Sequence, residues 1–519
     1  MPAKAIDHIL IVGGGTAGWL TAVHLAKHLK PNQGGPKVTL LESPNIPTVG
    51  VGEGTVPAMR DSLKYLGISE TDFIRECDAT FKQSIKFVDW LRSPAEGGHS
   101  YHHIFDYPMK QDIDLSPYYH LGACGNQSYV DALSVQGMMC DKGYGPKTMT
   151  HNEYEGLTSY AYHLDAAKFA AYLTKFGVEK LGISHVKGEM TTVKQAEDGT
   201  ILSLSTDTVG ELCADIFIDC TGFRSLLLGE TLDIPFIDKS HILFADYALA
   251  AQLPYGPDDH LPCHTIATAK EAGWIWDIGL MERRGTGYVY SSHHTSHEAA
   301  EKVIRDYARV SLGDKADEIS TRQIKMKVGY REKLWEKNCI AVGLSQGFVE
   351  PLEATGLLMF DATARMLAEQ FPATTETIPV VADRFNQRLK LTWDKVIDFI
   401  KLHYCTSQRT DSDFWLDNCH ANSIPQSLQD KLHYWQHSLP SAYDFSSRLE
   451  IFNLENYQYV LNGMEFKTDI EPLKSRYADL AKAQDDFEAI QQYNKQLEPQ
   501  LIPHRDLIRR IQKYGLQTL

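Results

Sequence analysis

A six-residue glycine pattern near the start of the chain limits its fold more than any other feature. Gly13-x-Gly15-x-x-Gly18 directly follows the apolar run Ile9-Leu10-Ile11-Val12. It precedes a stretch in which Leu20, Val23, Leu25 and Leu29 are spaced for a helix packed on a sheet. A second apolar run, Val38-Thr39-Leu40-Leu41, ends at Glu42. Strand, glycine turn, helix and strand make a βαβ unit, which belongs to a parallel sheet with helices on its faces. The glycines allow a tight turn, filled by Thr16 and Ala17, and let backbone N–H groups approach a pyrophosphate at the positive helix end. Glu42 stands where a carboxylate accepts hydrogen bonds from a ribose diol. The unit therefore predicts a dinucleotide site.

The rest of the chain adds elements around this unit. Residues 43–60 are rich in Gly and Pro and read as a long ordered loop. Residues 163–181, led by Asp165, read as a helix, and 185–219 as alternating antiparallel strands ending in the apolar strand Ile216-Phe217-Ile218-Asp219. Residues 339–345 read as a buried strand, with a helix from about Ala354 to Phe371. After Phe371 glycine is reduced to Gly463 and Gly515 and helix-like stretches dominate. The expected division is 1–371, a dinucleotide-binding module, and 372–519, a mainly helical region completing the substrate site. The fold class is α/β with α+β additions: a Rossmann-like nucleotide-binding module with a helical C-terminal cover.

Composition excludes several functions. With 51 Lys and Arg against 67 Asp and Glu the net charge is −16, and no basic block appears, so nucleic acid is not an expected partner. No apolar run reaches the roughly 18 residues of a membrane-spanning helix. The N-terminal apolar stretch runs into glycines rather than a cleavage site, so no signal peptide is expected. Nine cysteines without a CxxC pair predict a reduced, cytoplasmic protein with no disulfide framework and no metal. His293, His294 and His297 read as a solvated polar loop, because no carboxylate or cysteine accompanies them in sequence.

The choice between NAD and FAD rests on a segment far downstream. Asp219-Cys220-Thr221-Gly222-Phe223-Arg224 follows a strand in the way that flavoprotein hydroxylases return to their cofactor, which favours FAD by analogy.

Five ordered segments then carry a resemblance. They are Gly13-Gly14-Gly15-Thr16-Ala17-Gly18-Trp19; Val51-Gly52-Glu53-Gly54-Thr55-Val56-Pro57; Thr80-Phe81-Lys82 with Ile85-Lys86-Phe87; Trp274-Ile275-Trp276-Asp277-Ile278; and Phe348-Val349-Glu350-Pro351-Leu352-Glu353-Ala354-Thr355-Gly356. The chain resembles flavin-dependent halogenases of the tryptophan-halogenase type over residues 13–356, with echoes at Asp411 to Trp415. Two positions depart from the family pattern. Gly279 stands where Pro follows the Trp-x-Trp-x-Ile segment, and Ala354 stands where many members have Ser.

The resemblance implies that FAD, reduced by a separate NAD(P)H flavin reductase, reacts with oxygen and a halide, bromide or chloride. The product, hypohalous acid, passes through an internal tunnel to a lysine and halogenates a small electron-rich aromatic. It implies Gly13, Gly15, Thr16, Ala17, Gly18, Glu42, Val51, Gly52, Glu53, Asp219, Leu344 and Gly356 as flavin-binding residues. Thr355 and Gly356 would hold the halide at a helix start. Trp274 and Trp276 would line the tunnel and keep substrate from the flavin. Lys82 matches the essential lysine, acting as an ammonium hydrogen-bond donor to the oxidant or as a free amine forming a haloamine. Glu353 matches the essential glutamate, stabilising the cationic ring and taking its proton. Lys86 and Glu350 are expected to serve elsewhere. His103 and Phe105 fall beside the substrate in a register uncertain by one residue, and Phe452 and Tyr457 lie in its C-terminal neighbourhood. The aromatic pair and polar groups of tryptophan-specific members are not found. Indole, another small aromatic, or a tryptophan embedded in something larger is therefore expected rather than free tryptophan. The resemblance also suggests a homodimer. A single-component flavin hydroxylase and an inactive flavin-binding protein are the competing readings.

Overall fold

A computed structural model describes residues 4–46, 52–445 and 450–517. Strand β1 (His8–Val12), helix α1 (Thr16–Leu29) and strand β2 (Lys37–Glu42) form the expected βαβ unit. Within 43–60, read above as loop, β3 (Gly52–Gly54) forms and α2 (Pro57–Leu66) begins. Pro57 explains the helix start, because its ring fixes φ for the first helical residue and its missing N–H is not needed there. Strands β4 (Thr80–Lys82), β5 (Ser84–Val88) and β6 (Ser100–Ile104) follow, then helix α3 (Gln136–Asp141). The helix expected from 163 starts later. Residues 161–165 form β7 (Ala161–Asp165), and α4 (Ala166–Leu181) begins where the Asp165 carboxylate accepts the Ala167 and Lys168 N–H groups.

The alternating region splits between two sheets. Strands β8 (Ser184–Lys187), β9 (Met190–Gln195), β10 (Ile201–Thr206), β11 (Gly210–Cys213) and β12 (Ile216–Asp219) occur in order. Only β9 to β11 pair antiparallel, as a separate sheet, while β8 and β12 run parallel to β2 and β1. The chain then forms β13 (Tyr247–Pro254), β14 (Thr265–Lys270), β15 (Gly273–Gly279), β16 (Arg283–Tyr290) and β17 (Thr321–Lys325). Next come β18 (Trp335–Glu336) and β19 (Cys339–Ala341). The strand read over 339–345 stops at Ala341, because Gly343 takes a φ of 80° and opens a turn. The helices that matter here are α5 (Thr355–Glu369), α6 (Ile378–Cys405), α7 (Leu454–Gly463) and α8 (His504–Tyr514).

The parallel sheet has the order β18-β19-β12-β1-β2-β8, with α1 packed against α4 and α5. A seven-stranded sheet has the order β17-β13-β16-β15-β14-β5-β6, and a small sheet β3-β7-β4 pairs Gly52–Gly54 and Thr80–Lys82 with Ala161–Asp165. One apolar cluster contains Ile11 and Leu40 of the parallel sheet, Trp274 of the large sheet and Trp393 and Phe399 of α6. A polar tie crosses it. His24 Nε2 donates to Asp361 at 2.8 Å and Ser62 Oγ donates to the same carboxylate at 2.6 Å, joining α1, α2 and α5. Among the described residues no helix is long and apolar enough to cross a membrane.

At the end of β12 the buried Asp219 carboxylate accepts hydrogens from Thr221 N and Oγ1, Ser225 Oγ, and the N–H groups of Leu227 and Leu228. Asp219 thus orders the turn that follows its own strand. Asp219→Ala orphans these donors, so we expect a loss of about 3 kcal/mol. The check is a lower urea midpoint at unchanged m-value.

Candidate active site

Two centres are built on this scaffold. The first lies at the carboxyl ends of β1, β2 and β12. The N-cap of α1 is Gly15, and a Cβ added there would meet nothing within 4 Å. A Cβ at Gly18 would lie 1.9 Å from the Gly13 carbonyl oxygen, so only hydrogen lets α1 pack on its own turn. The result is an open helix N-terminus with unshielded N–H groups, which suits a pyrophosphate. Glu42 closes β2, half-buried, and accepts from His185 Nε2 at 2.7 Å. The turn carrying Leu344 sits against the first turn of α1, with Ala17 Cβ beside Gly343. Thr16 is buried at the helix start, and Gly52 and Glu53 lie on β3, where burial pushes the Glu53 carboxyl up to about 7. Val51 lies outside the described residues. These features fit a flavin dinucleotide.

Helix α5 opens at Thr355, after Ala354 at a φ of 55°. That left-handed conformation is uncommon for a residue with a Cβ. Thr355 Oγ1 donates to the Glu350 carbonyl at 3.1 Å, and a Cβ at Gly356 would meet only Phe348, at 3.8 Å.

The second centre is buried. Lys82 ends β4 with about 1% of its surface exposed. Its Nζ donates to the Thr55 carbonyl at 3.1 Å and lies 5.2 Å from the centre of the Phe105 ring. Burial pushes the Lys82 ammonium down to about 7, against the pull of Glu353. Glu353 stands just before α5, equally buried. His103 Nδ1 donates to its two oxygens at 2.9 and 3.0 Å, and His403 Nε2 donates to Oε1 at 2.9 Å. Burial raises this carboxyl, but the two histidines overcome it and hold it down at about 2. The other His403 nitrogen faces the Phe399 carbonyl at 2.9 Å.

Lys82 and Phe105, and His103 and Glu353, are thus brought together. Of the adjacent histidines it is His103 that meets Glu353, because adjacent strand residues face opposite ways. His102 instead points toward Ser84 and Asp141. Phe452 and Tyr457 stand behind Phe399, with ring centres 4.0 and 4.9 Å from it, rather than against Glu353. The α7 residue that reaches this centre is Asn456, whose Nδ2 donates to His103 Nε2 at 2.9 Å.

Trp274 and Trp276 pack on one side of β15, 6.5 Å apart. Trp274 Nε1 and the Tyr404 hydroxyl each donate to Glu350 Oε2 at 2.6 Å, so Glu350 anchors an indole. Burial raises its carboxyl to about 7. Lys86 is half-exposed and pairs with Asp141 at 2.6 Å, away from the pocket. A Cβ at Gly279 would come within 2.8 Å of Leu261 Cδ1, the end of a flexible side chain. The histidine loop has a carboxylate partner that sequence reading missed. His294 donates to Asp417 at 3.0 Å, from a segment far along the chain.

Sequence reasoning also passed over Thr55, Asn456, Phe399 and His403. The last two had a signal. Lys401 and His403 interrupt an otherwise apolar stretch, Phe399 to Tyr404, and a polar group buried in a helix needs a partner.

Architecture and site together define a flavin-dependent α/β enzyme with a second, lysine–carboxylate centre. Residues 8–480 match the family model described as tryptophan halogenase, and the chain belongs to that family. It is 35% identical to a tryptophan 6-halogenase of Streptomyces toxytricini over 85% of this chain and 86% of that protein. It is 34% identical to a tryptophan 7-halogenase of Lentzea aerocolonigenes, over 89% and 90%. A solved tryptophan halogenase structure from Shewanella frigidimarina superposes with a TM-score of 0.94 at 41% identity, over 99% of both chains. The chain is thus an enzyme of the flavin-dependent halogenase class, and the comparisons favour this over the hydroxylase and inactive readings.

Proposed function

We propose that the chain halogenates an electron-rich aromatic such as indole, using Lys82 to hold the oxidant and Glu353 to assist loss of the ring proton. The observation that carries the reading is the convergence of a buried lysine, the Phe105 ring and a carboxylate held ionised by two histidines. Reduced FAD, delivered by a separate NAD(P)H reductase, supplies hypohalous acid from oxygen and bromide or chloride. Gly13, Gly15, Thr16, Ala17, Gly18, Glu42, Gly52, Glu53 and Leu344 hold the flavin, and Asp219 acts through the turn it orders. The N–H groups of Thr355 and Gly356 hold the halide at the start of α5. Trp274 and Trp276 separate the two centres. Residues 1–371 carry flavin and halide, and 372–519 close the pocket through His403 and Asn456.

Lys82 donates a hydrogen bond to the oxidant oxygen and raises its electrophilicity. The ring beneath is attacked, and the cation formed lies beside the Glu353 carboxylate, which takes the proton. His103 and His403 keep that carboxylate ionised and fixed.

The test is an aerobic incubation with FAD, a flavin reductase, NADH, and bromide or chloride, with indole and free tryptophan in separate arms. Mass spectrometry should find a halide-dependent indole product, with tryptophan turned over more slowly. Hydroxylated product independent of halide would refute the proposal.

A further inference from the structure

On the far side of β6 from Glu353, the chain gathers ligands that the reaction described above does not use. His102, Cys140 and His264 present nitrogen, sulfur and nitrogen atoms that all lie within 4.8 Å of one another. All three residues are more than nine-tenths buried. They come from β6, from α3 and from the segment just before β14. The rings of His102 and His264 meet edge to face, 5.1 Å apart.

Two details go beyond proximity. His102 Nε2 donates to Asp141 Oδ1 at 3.0 Å, which fixes the tautomer and leaves Nδ1 as the lone-pair nitrogen. That nitrogen faces Ser84 Oγ at 2.9 Å, and Ser84 Oγ is 3.3 Å from Cys140 Sγ. A carboxylate behind a histidine is the arrangement that orients imidazole toward a metal. Second, His264 Nδ1 is buried without a hydrogen-bond partner. A buried ring nitrogen without a partner is costly unless something binds it.

We propose that His102, Cys140 and His264 bind a zinc ion. A nitrogen–sulfur set of this kind suits Zn2+, with the fourth position left to a water. On binding, the Cys140 thiol gives its proton to solvent and the thiolate forms the Zn–S bond, so affinity falls as pH is lowered. The ion would tie β6 and α3 to the chain entering β14. Cys263, in that chain, accepts the Gln83 N–H at 2.8 Å, directly after Lys82. The ion therefore acts on the lysine strand through backbone, not through the reacting atoms.

The experiment titrates the chelator-treated full-length protein with Co2+ and then Zn2+. We expect about one Co2+ per chain with a near-ultraviolet sulfur-to-cobalt band, displaced by Zn2+. In Cys140→Ser and His264→Gln the affinity should fall at least about tenfold, and Cys140→Ser should lose the band. Cys213→Ser, at the exposed cysteine, should keep both. Absence of the band in the unmodified protein, or its persistence in Cys140→Ser, overturns the proposal. If Cys140→Ser fails to fold, the unmodified protein decides by its band and by whether Zn2+ raises its melting temperature.

Discussion

Lys82→Met should abolish halogenation while making the protein more stable at neutral pH. The two effects share one cause. Methionine fills nearly the volume of the lysine stem, so the pocket does not collapse. What disappears is the group proposed to donate to the oxidant, and product formation should fall roughly 10³-fold. The same burial that makes Lys82 useful makes it a liability for folding. In the unfolded chain the ammonium has its ordinary pKa of 10.5, and in the fold it sits near 7. Between these values the unfolded chain keeps a proton that the folded chain has lost. Stability therefore rises with pH across the window from about 7 to 10.5, and the penalty is fullest below 7. The difference corresponds to about 5 kcal/mol against folding. Losing the hydrogen bond to Thr55 takes back about 1 kcal/mol of any gain. Urea midpoints at pH 6 and pH 10 are the measurement. The variant should be clearly more stable at pH 6 and nearly equal to the parent at pH 10. Retained product, or a variant weaker at pH 6, would refute this account of Lys82.

The sequence made the nucleotide centre legible because its signal is local. Gly13 to Gly18 lie between a strand and a helix, and each glycine's role follows from its neighbours. The second centre is assembled from β4, β6, the segment before α5, and α6, so spacing alone could not reveal it. Lys82 and Glu353 were found through the motifs that surround them. His403 and Asn456 lie in helices with no motif, and only the fold shows which carboxylate and which imidazole they meet. The loop read over 43–60 failed for a related reason. Gly52–Gly54 is a strand only because Ala161–Asp165 lies beside it. Phe452 and Tyr457 were placed by position along the chain, and the fold shows that both rings pack on Phe399. The Asp417 partner of His294 was likewise invisible until two distant segments met.

Glu353→Gln isolates charge from geometry. In the parent, Oε1 already accepts from both His103 and His403, so an amide oxygen in that place can accept the same two hydrogens, while the NH2 replaces the Oε2 that His103 also reaches at 3.0 Å. The amide should therefore hold the pocket's shape while removing its negative charge. The ring cation then forms beside a neutral dipole, and no base of suitable strength is left to take its proton. Product formation should fall roughly 10²- to 10⁴-fold, carried by kcat rather than KM. In the proposed mechanism hypohalous acid is made at the other centre, so halogenation of a small reactive trap free in solution should persist. Loss of the trap signal would place Glu353 in oxidant formation and refute the assignment. The variant also changes acid stability. A carboxyl with a folded pKa near 2 against an ordinary value of 4.5 contributes stability above about 4.5, lost as pH falls toward 2. Between those limits the parent should lose stability on acidification, and the amide variant should lack that share of the slope. Proton linkage and turnover thus test the same side chain by independent routes.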